Sequence, residues 1–220
     1  MNPAFSPRRS RWIPILAIAA AAVAIVAASP VRTTVLRAAG WALVINEPLA
    51  PADIIVISLD SGGAGVLETA DLVQRGIAKK VAVFSAPLGR EGDEFIRRGV
   101  PYEDEGARQI GQLQRLGVTD VIRISITERG TEAEARALPA WSGQHGFRSI
   151  VLVTARDHSR RMRRVLNRLV KPHSWHVTVQ ASHYSSFDPD QWWETRSGIR
   201  TGISELQKLL LEVILHPLSF

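Results

Sequence analysis

Apolar, β-branched runs recur along this chain, and helical patterns alternate with them. The runs are ADIIVIS (52–58), VAVFS (81–85), VIRIS (121–125), SIVLVT (149–154) and WHVTVQ (175–180). Their length, and the turn residues that bound them, fit strands. Between them, 66–76, 104–116, 131–145 and 159–170 carry helical spacing, with Gly76 and Gly117 as stop signals. A shorter helix is expected at 93–98, and one or two helices should close the chain over 189–215. Strands this short, separated by helices, need crossover connections. The pattern therefore predicts an α/β fold: a Rossmann-like three-layer sandwich around a mostly parallel sheet of five strands or more.

The N-terminal region follows another rule. Trp12 to Ser29 runs eighteen residues without a charge and is preceded by Arg8, Arg9 and Arg11. As a helix at about 1.5 Å per residue it would reach across a hydrocarbon core. The arginines favour keeping residues 1–11 in the cytoplasm. The expectation is a single-pass inner-membrane anchor at 12–29, a juxtamembrane connector at 30–50, and an extracytoplasmic domain at 51–220. A cleaved signal peptide is the competing reading, with small residues near Ala24 to Ala28.

Charge changes the picture less than the total suggests. The formal net charge is +6, but the first 46 residues hold five arginines and no acid. Removing those five from the chain's 27 leaves 22 basic residues against 21 acidic ones. A near-neutral domain argues against nucleic acid as a partner. The absence of cysteine excludes disulfides, thiolate metal sites and a cysteine nucleophile. His173 and His176 lack any further ligand to make a metal site. No G-x-G-x-x-G and no G-x-S-x-G are present, which speaks against a dinucleotide fingerprint and a hydrolase elbow.

In an open parallel sheet, ligands bind beyond the carboxyl ends of the strands. Those positions hold Ser58, Asp60, Gly62 and Gly63 after the first strand, and Ser85 after the second. Glu128 and Thr131 follow the third, and Thr154 and His158 the fourth. The paired glycines could turn backbone N–H groups toward an anion. His158 and Arg161 open a helix whose Met162, Val165, Leu166 and Leu169 form the buried stripe, a setting that suits a phosphate. Arg160, Arg164, Arg168 and Lys171 are expected on its solvated face. Two local explanations compete with function. Asp157 or Thr154 could simply cap that helix. Thr131 to Glu134 spell the T-x-x-E capping box, which accounts for both residues as helix-start hardware.

Taken in order, these pieces resemble the SanA/YdcF/ElyC-like family, a domain of unknown function found in bacterial envelopes. The likeness covers roughly residues 50 to 215. It rests on Ala52-Asp53-Ile54-Ile55-Val56-Ile57, on Leu72 through Gly76 and Ala78, on Ser85, and on Gly130-Thr131 with Glu134. Its best motif is Val153-Thr154-Ala155-Arg156-Asp157-His158-Ser159-Arg160-Arg161, and the closing helix with Glu205 and Glu212 also matches. The chain departs from the family in Ser58-Leu59-Asp60 for a glycine triplet, Val66 for an arginine, Ala86 and Pro87 for glycines, and Ala155 for a serine.

The resemblance implies a role in envelope biogenesis or barrier integrity, through a phosphate-bearing ligand such as a lipid-carrier headgroup or a nucleotide. Gly62, Gly63 and the helix start at His158 would cradle the anion, with Arg161 paired to it. His158 would serve as acid or base, with Glu128 or Asp60 as counterpart. A non-catalytic scaffold that binds another envelope protein is the second reading, and a cytoplasmic nucleotide-binding enzyme the third. The sequence names no cofactor.

Overall fold

The computed structural model describes residues 14–18, 31–170 and 175–217. Five strands form one sheet: β1 (Ile54–Ile57), β2 (Lys80–Ser85), β3 (Val121–Ser125), β4 (Ser149–Thr154) and β5 (His176–Ala181). Their order is β3-β2-β1-β4-β5, and every neighbouring pair is parallel. The helices are α1 (Val31–Trp41), α2 (Gly62–Gln74), α3 (Arg90–Arg97), α4 (Glu105–Arg115), α5 (Thr131–His145), α6 (Ser159–Leu169) and α7 (Arg196–Leu215).

β1 is buried along its whole length because both faces of the sheet are covered. Ile54 and Val56 join Leu138 of α5 and Met162, Val165 and Leu166 of α6 on one face. Ile55 and Ile57 turn the other way, toward Leu72, Val66 and Ala70 of α2, and Val81, Val83 and Leu113 join them there. The period-2 alternation of a strand thus feeds two cores at once.

Strand order decides where a ligand can enter. β1 and β4 are neighbours, yet the helix that follows β1 covers one face and the helix that follows β4 covers the other. Their chains part at the carboxyl ends and leave a crevice, the switch point of an open α/β sheet.

The structure departs from the sequence-based reading at three places. Residues 30–50, expected as a plain connector, contain α1, and Leu43 and Val44 beyond it are buried. Helix α2 begins at Gly62 rather than Val66, so the paired glycines form its first turn instead of a loose loop; Gly62 has φ +49°, which only glycine adopts without strain. The basic side of α6 is not solvated. The 43–47 stretch and α7 lie over it: Arg160 donates to the Val44 carbonyl (2.7 Å), Arg164 to His216 (3.0 Å), and Arg168 reaches Glu132 (2.7 Å) and Glu212 (3.0 Å). Lys171 lies outside the described residues. So does most of the expected anchor at 12–29, of which only 14–18 are described, as helix. Among the described residues no helix is long and apolar enough to cross a membrane.

Trp192 packs between α1 and α7, in a cluster that includes Leu36, Ala39, Leu206 and Leu209. The Trp192 indole N–H donates to the Leu36 carbonyl of α1 at 2.7 Å. A Cβ on Gly40 would lie 2.8 Å from its ring, and a Cβ on Gly202 of α7 would lie 2.5 Å from it. Gly202→Ala is therefore expected to destabilise the protein by about 1–3 kcal/mol through overpacking, despite the ~1 kcal/mol that alanine gains in helix propensity. Urea unfolding of the full chain checks this; an unchanged or raised midpoint would mean that the ring is not clasped.

Candidate functional site

Two short 3-10 turns, Leu59–Ser61 after β1 and Arg156–His158 after β4, face each other across the switch point. The first turn is tied to itself. The Ser61 hydroxyl donates to the Ser58 carbonyl at 2.6 Å, and the Ser58 hydroxyl donates to Asp60 Oδ1 at 2.7 Å. Gly65 leaves the room for this, since a Cβ there would lie 2.0 Å from Ser61 Oγ. Asp60 is thereby held with its carboxylate toward the second turn.

His158 meets it there. The ring is 1% exposed, and Nε2 lies 3.0 Å from Asp60 Oδ2 and 3.3 Å from Thr131 Oγ1. On the other side of the ring, Arg161 Nη2 is 2.6 Å from Nδ1. A guanidinium can only donate, so Nδ1 accepts and the ring proton sits on Nε2, aimed at Asp60. Arg161 also donates to Thr131 Oγ1 (2.7 Å) and Glu205 Oε2 (3.0 Å), and Lys208 closes the chain on Glu205 Oε1 (2.6 Å). The result is a continuous relay: Ser58, Asp60, His158, Arg161, Glu205, Lys208.

Two carboxyls in this region are driven in opposite directions. Burial pushes Glu134 up to about 8, and the Asp60 charge adds to the push, against the Ser58 hydroxyl and the Leu59 N–H. At neutral pH Glu134 is therefore mostly the neutral acid. Glu134 Oε2 is buried without a hydrogen bond among the described residues. Burial also works to raise Glu205, but the adjoining His158 ring, the hydrogen bond from Lys208 and the Arg161 charge outweigh it and hold that carboxyl well below the usual range. Asp157 is raised, first by burial and then by the charges of Glu205 and Asp60.

Two cavities open over the relay and share Asp60, Arg161 and Lys208. One, of about 340 Å³, is lined by Ser61, Asp157, Ser185, Ser186, Thr201 and Glu205 among others. The other, of about 450 Å³, adds Arg129, Gly130, Thr131 and Glu134. The side chain of Asp60 is 43% exposed and that of His158 only 2%, so Asp60 is the member of the pair that a ligand can touch.

The other sequence-predicted residues are spread more widely. Thr154 is fully buried at the end of β4, and its hydroxyl makes no hydrogen bond among the described residues. Ser85 ends β2, where its carbonyl accepts from the Ile126 N–H, and it lines neither cavity. Gly63 sits in the first turn of α2 with open space where a Cβ would go. Glu128 is exposed and lines a separate cavity of about 220 Å³ with Ser125, Ala133 and Arg136.

The capping-box explanation of Thr131 and Glu134 does not hold. Gly130 is the N-cap of α5, with no side-chain cap bond; the Thr131 hydroxyl goes to Arg161 and Glu134 goes inward. Nor does Asp157 or Thr154 cap α6, whose N-cap position is His158 with no side-chain cap bond to the helix. Glu134 was hidden because its spacing from Thr131 had a sufficient local explanation. Lys208, Ser185, Ser186 and Thr201 carried no signal, as they lie far along the chain on segments that only folding brings here.

A larger cavity, about 600 Å³, lies elsewhere, along the free edge of β5. Its ion pair, Glu47 with Arg163, is engaged with that edge: Glu47 accepts from the Val179 N–H (2.7 Å) and Arg163 donates to the Val177 carbonyl (2.7 Å). These contacts satisfy edge groups that would otherwise be open to another strand. We therefore place the candidate site at the switch point. As for metals, Glu132, Glu212 and His216 come within 4.8 Å of one another, but Arg168 already bridges the two acids.

No protein-family model matches the chain, and no curated protein matches it. The resemblance to the envelope family rests on the residues quoted for it above.

Proposed function

We propose that the cleft over β1 and β4 binds a polar, phosphate-bearing ligand, and that the protein does so as an inner-membrane-anchored member of the SanA/YdcF/ElyC-like group acting in envelope biogenesis. The observation that carries this reading is the buried relay at the switch point, which aims one accessible carboxylate, Asp60, into a cleft rimmed by Lys208, Arg129 and several hydroxyls. A structural ion-pair network has no need of an exposed end in a polar cleft. Arg161 is spent on three internal partners, so it shapes the site, and the anion would be met by Lys208, Arg129 and the hydroxyls.

The same geometry divides the labour if the ligand is transformed. Asp60 is the group placed to take a proton from it, with Ser58 and His158 orienting its two oxygens. His158 is then a positioning residue. Glu134 holds a proton beside the same cleft.

Thermal shift of the full chain in detergent, against inorganic phosphate, nucleotides, sugar phosphates and polyprenyl-phosphate headgroup analogues, tests the reading. A ligand present at a hundred times its Kd is expected to add about 2.7 kcal/mol of stability. Lys208→Ala/Arg129→Ala should abolish the shift without unfolding the protein, because both side chains are exposed. If no compound in the panel stabilised the protein, the ligand reading would be wrong and the scaffold reading would replace it.

A further inference from the structure

Helix α7 has three distinct faces. Gly202, Glu205 and Leu209 are buried against the domain, and Thr201, Glu205 and Lys208 line the candidate cleft. The third face is apolar and bare. Ile199, Ile203, Leu210 and Ile214 follow i, i+4, i+11, i+15, a single helical stripe, and all are exposed. Leu210 is 58% exposed and Ile214 62%, and next to them Leu211 is 56% and Leu215 67% exposed. Scattered exposed leucines are ordinary; a continuous row along one helix marks a surface that something covers.

Position in the chain and charge indicate what covers it. Only Pro30 separates Ser29, the last residue of the uncharged run, from Val31, the first of α1. Helix α1 in turn holds Trp192 by a hydrogen bond to Leu36, and the opposite side of that ring lies on Gly202 of α7. One small cluster, with Leu36 and Ala39 of α1 and Leu206 and Leu209 of α7 around Trp192, thus lies between the segment leaving the apolar run and the bare helix. The exposed charges nearby are basic in excess: Arg32 and Arg37 on α1 and Arg196 and Arg200 on the first turns of α7, against the exposed acids Asp188 and Glu194. Glu205 and Glu212 are turned inward and paired with Arg161, Lys208 and Arg168. A bare apolar stripe with arginines beside it is the pattern of a helix lying in the headgroup region of an anionic bilayer.

We infer that the Ile199–Ile203–Leu210–Ile214 face of α7 docks on the bilayer surface, so that the domain lies against the membrane rather than swinging from its anchor. Docking of this kind rests on the reading of 12–29 as that anchor. It leaves the cleft accessible, since Thr201, Glu205 and Lys208 lie on another side of the helix.

The chain has no cysteine, so single labels can be introduced cleanly. An environment-sensitive fluorophore is attached to Ile203→Cys, Leu210→Cys, Ala20→Cys or, on the opposite side of the sheet, Gln114→Cys. The full chain is reconstituted in mixed phosphatidylcholine and phosphatidylglycerol vesicles with lipid-borne spin labels near the headgroups. Labels at 203 and 210 are expected to shift to the blue and to be quenched about twofold or more beyond the label at 114. Quenching at 20 with none at 203 and 210 keeps the anchor and overturns the docking. Quenching at 203 and 210 with none at 20 supports the docking and removes the anchor. A blue shift at 203 and 210 that lipid quenchers do not touch means that protein covers the face, a second copy or residues 12–29, and overturns it as well.

Discussion

Glu134→Gln is expected to stabilise the protein, increasingly so as the pH rises from about 5 to 8. Glu134 is 1% exposed, and burial with the Asp60 charge pushes its carboxyl up to about 8. In the unfolded chain it titrates near 4.5. Between those values the unfolded state has released a proton that the folded state retains, so folding is penalised more with each step in pH. Below the lower value both states hold the proton and the penalty is absent. Above the higher value both are ionised and the penalty is complete. A neutral amide removes the effect. A tenfold change in proton affinity between the two states is worth about 1.4 kcal/mol, so a gain of roughly 2–5 kcal/mol at pH 8 is the expected scale. Urea unfolding of both proteins from pH 4 to 9 checks it. Parallel stability curves would show that Glu134 is ionised in the folded protein.

The second large effect concerns Arg161. Its guanidinium joins Thr131, His158 and Glu205, and the side chains of Arg161 and Glu205 are 15% and 9% exposed. Arg161→Met leaves the buried Glu205 with the His158 ring and with Lys208, which is half in water, and is expected to cost about 3–5 kcal/mol. Arg161→Met/Glu205→Met should cost less than either single change, because neither charge is then left alone. The pH profile carries a further sign. Glu205 is held low in the folded state, so its contribution is present above the ordinary carboxylate range and is lost as acid protonates it. The acid limb of the stability curve should therefore flatten in the double variant. A long-range proton–nitrogen spectrum adds a readout that simple destabilisation would not move. In the wild type, His158 should show the proton on Nε2, and Arg161→Met should lose that fixed tautomer. Strict additivity of the two single changes would dissolve the relay into independent contacts.

Much of the frame was legible before folding. The central strands appear as apolar runs because a parallel sheet covered on both sides leaves no room there for polar interruption, and Ile54 to Ile57 are buried without a break, whereas the edge strands β3 and β5 admit Arg123 and Thr178. The strand-end rule brought Ser58, Asp60, Thr131, His158 and Arg161 into consideration, and the structure sets these five in one connected network. Glu134 was misread because T-x-x-E is a sufficient local pattern for a helix start, and nothing local reveals that the acid faces inward. The arginines of α6 were misread for a related reason. Amphipathic spacing identifies the buried stripe but not whether a second layer, here α7 and the 43–47 stretch, will cover the opposite side.

Local chemistry was enough for the α/β class, the alternation of strands and helices, the positions of most element boundaries and the shortlist of polar residues at strand ends. Each depends on periodicity and on neighbours within a few residues, which a sequence displays directly. Strand order, and with it the switch point between β1 and β4, required the fold, because hydrogen bonding between strands about a hundred residues apart leaves no trace in either run. The same holds for the inversion that makes Asp60 the accessible partner and His158 the buried one. Burial is set by what packs over a residue, and here that cover includes a helix from the far end of the chain.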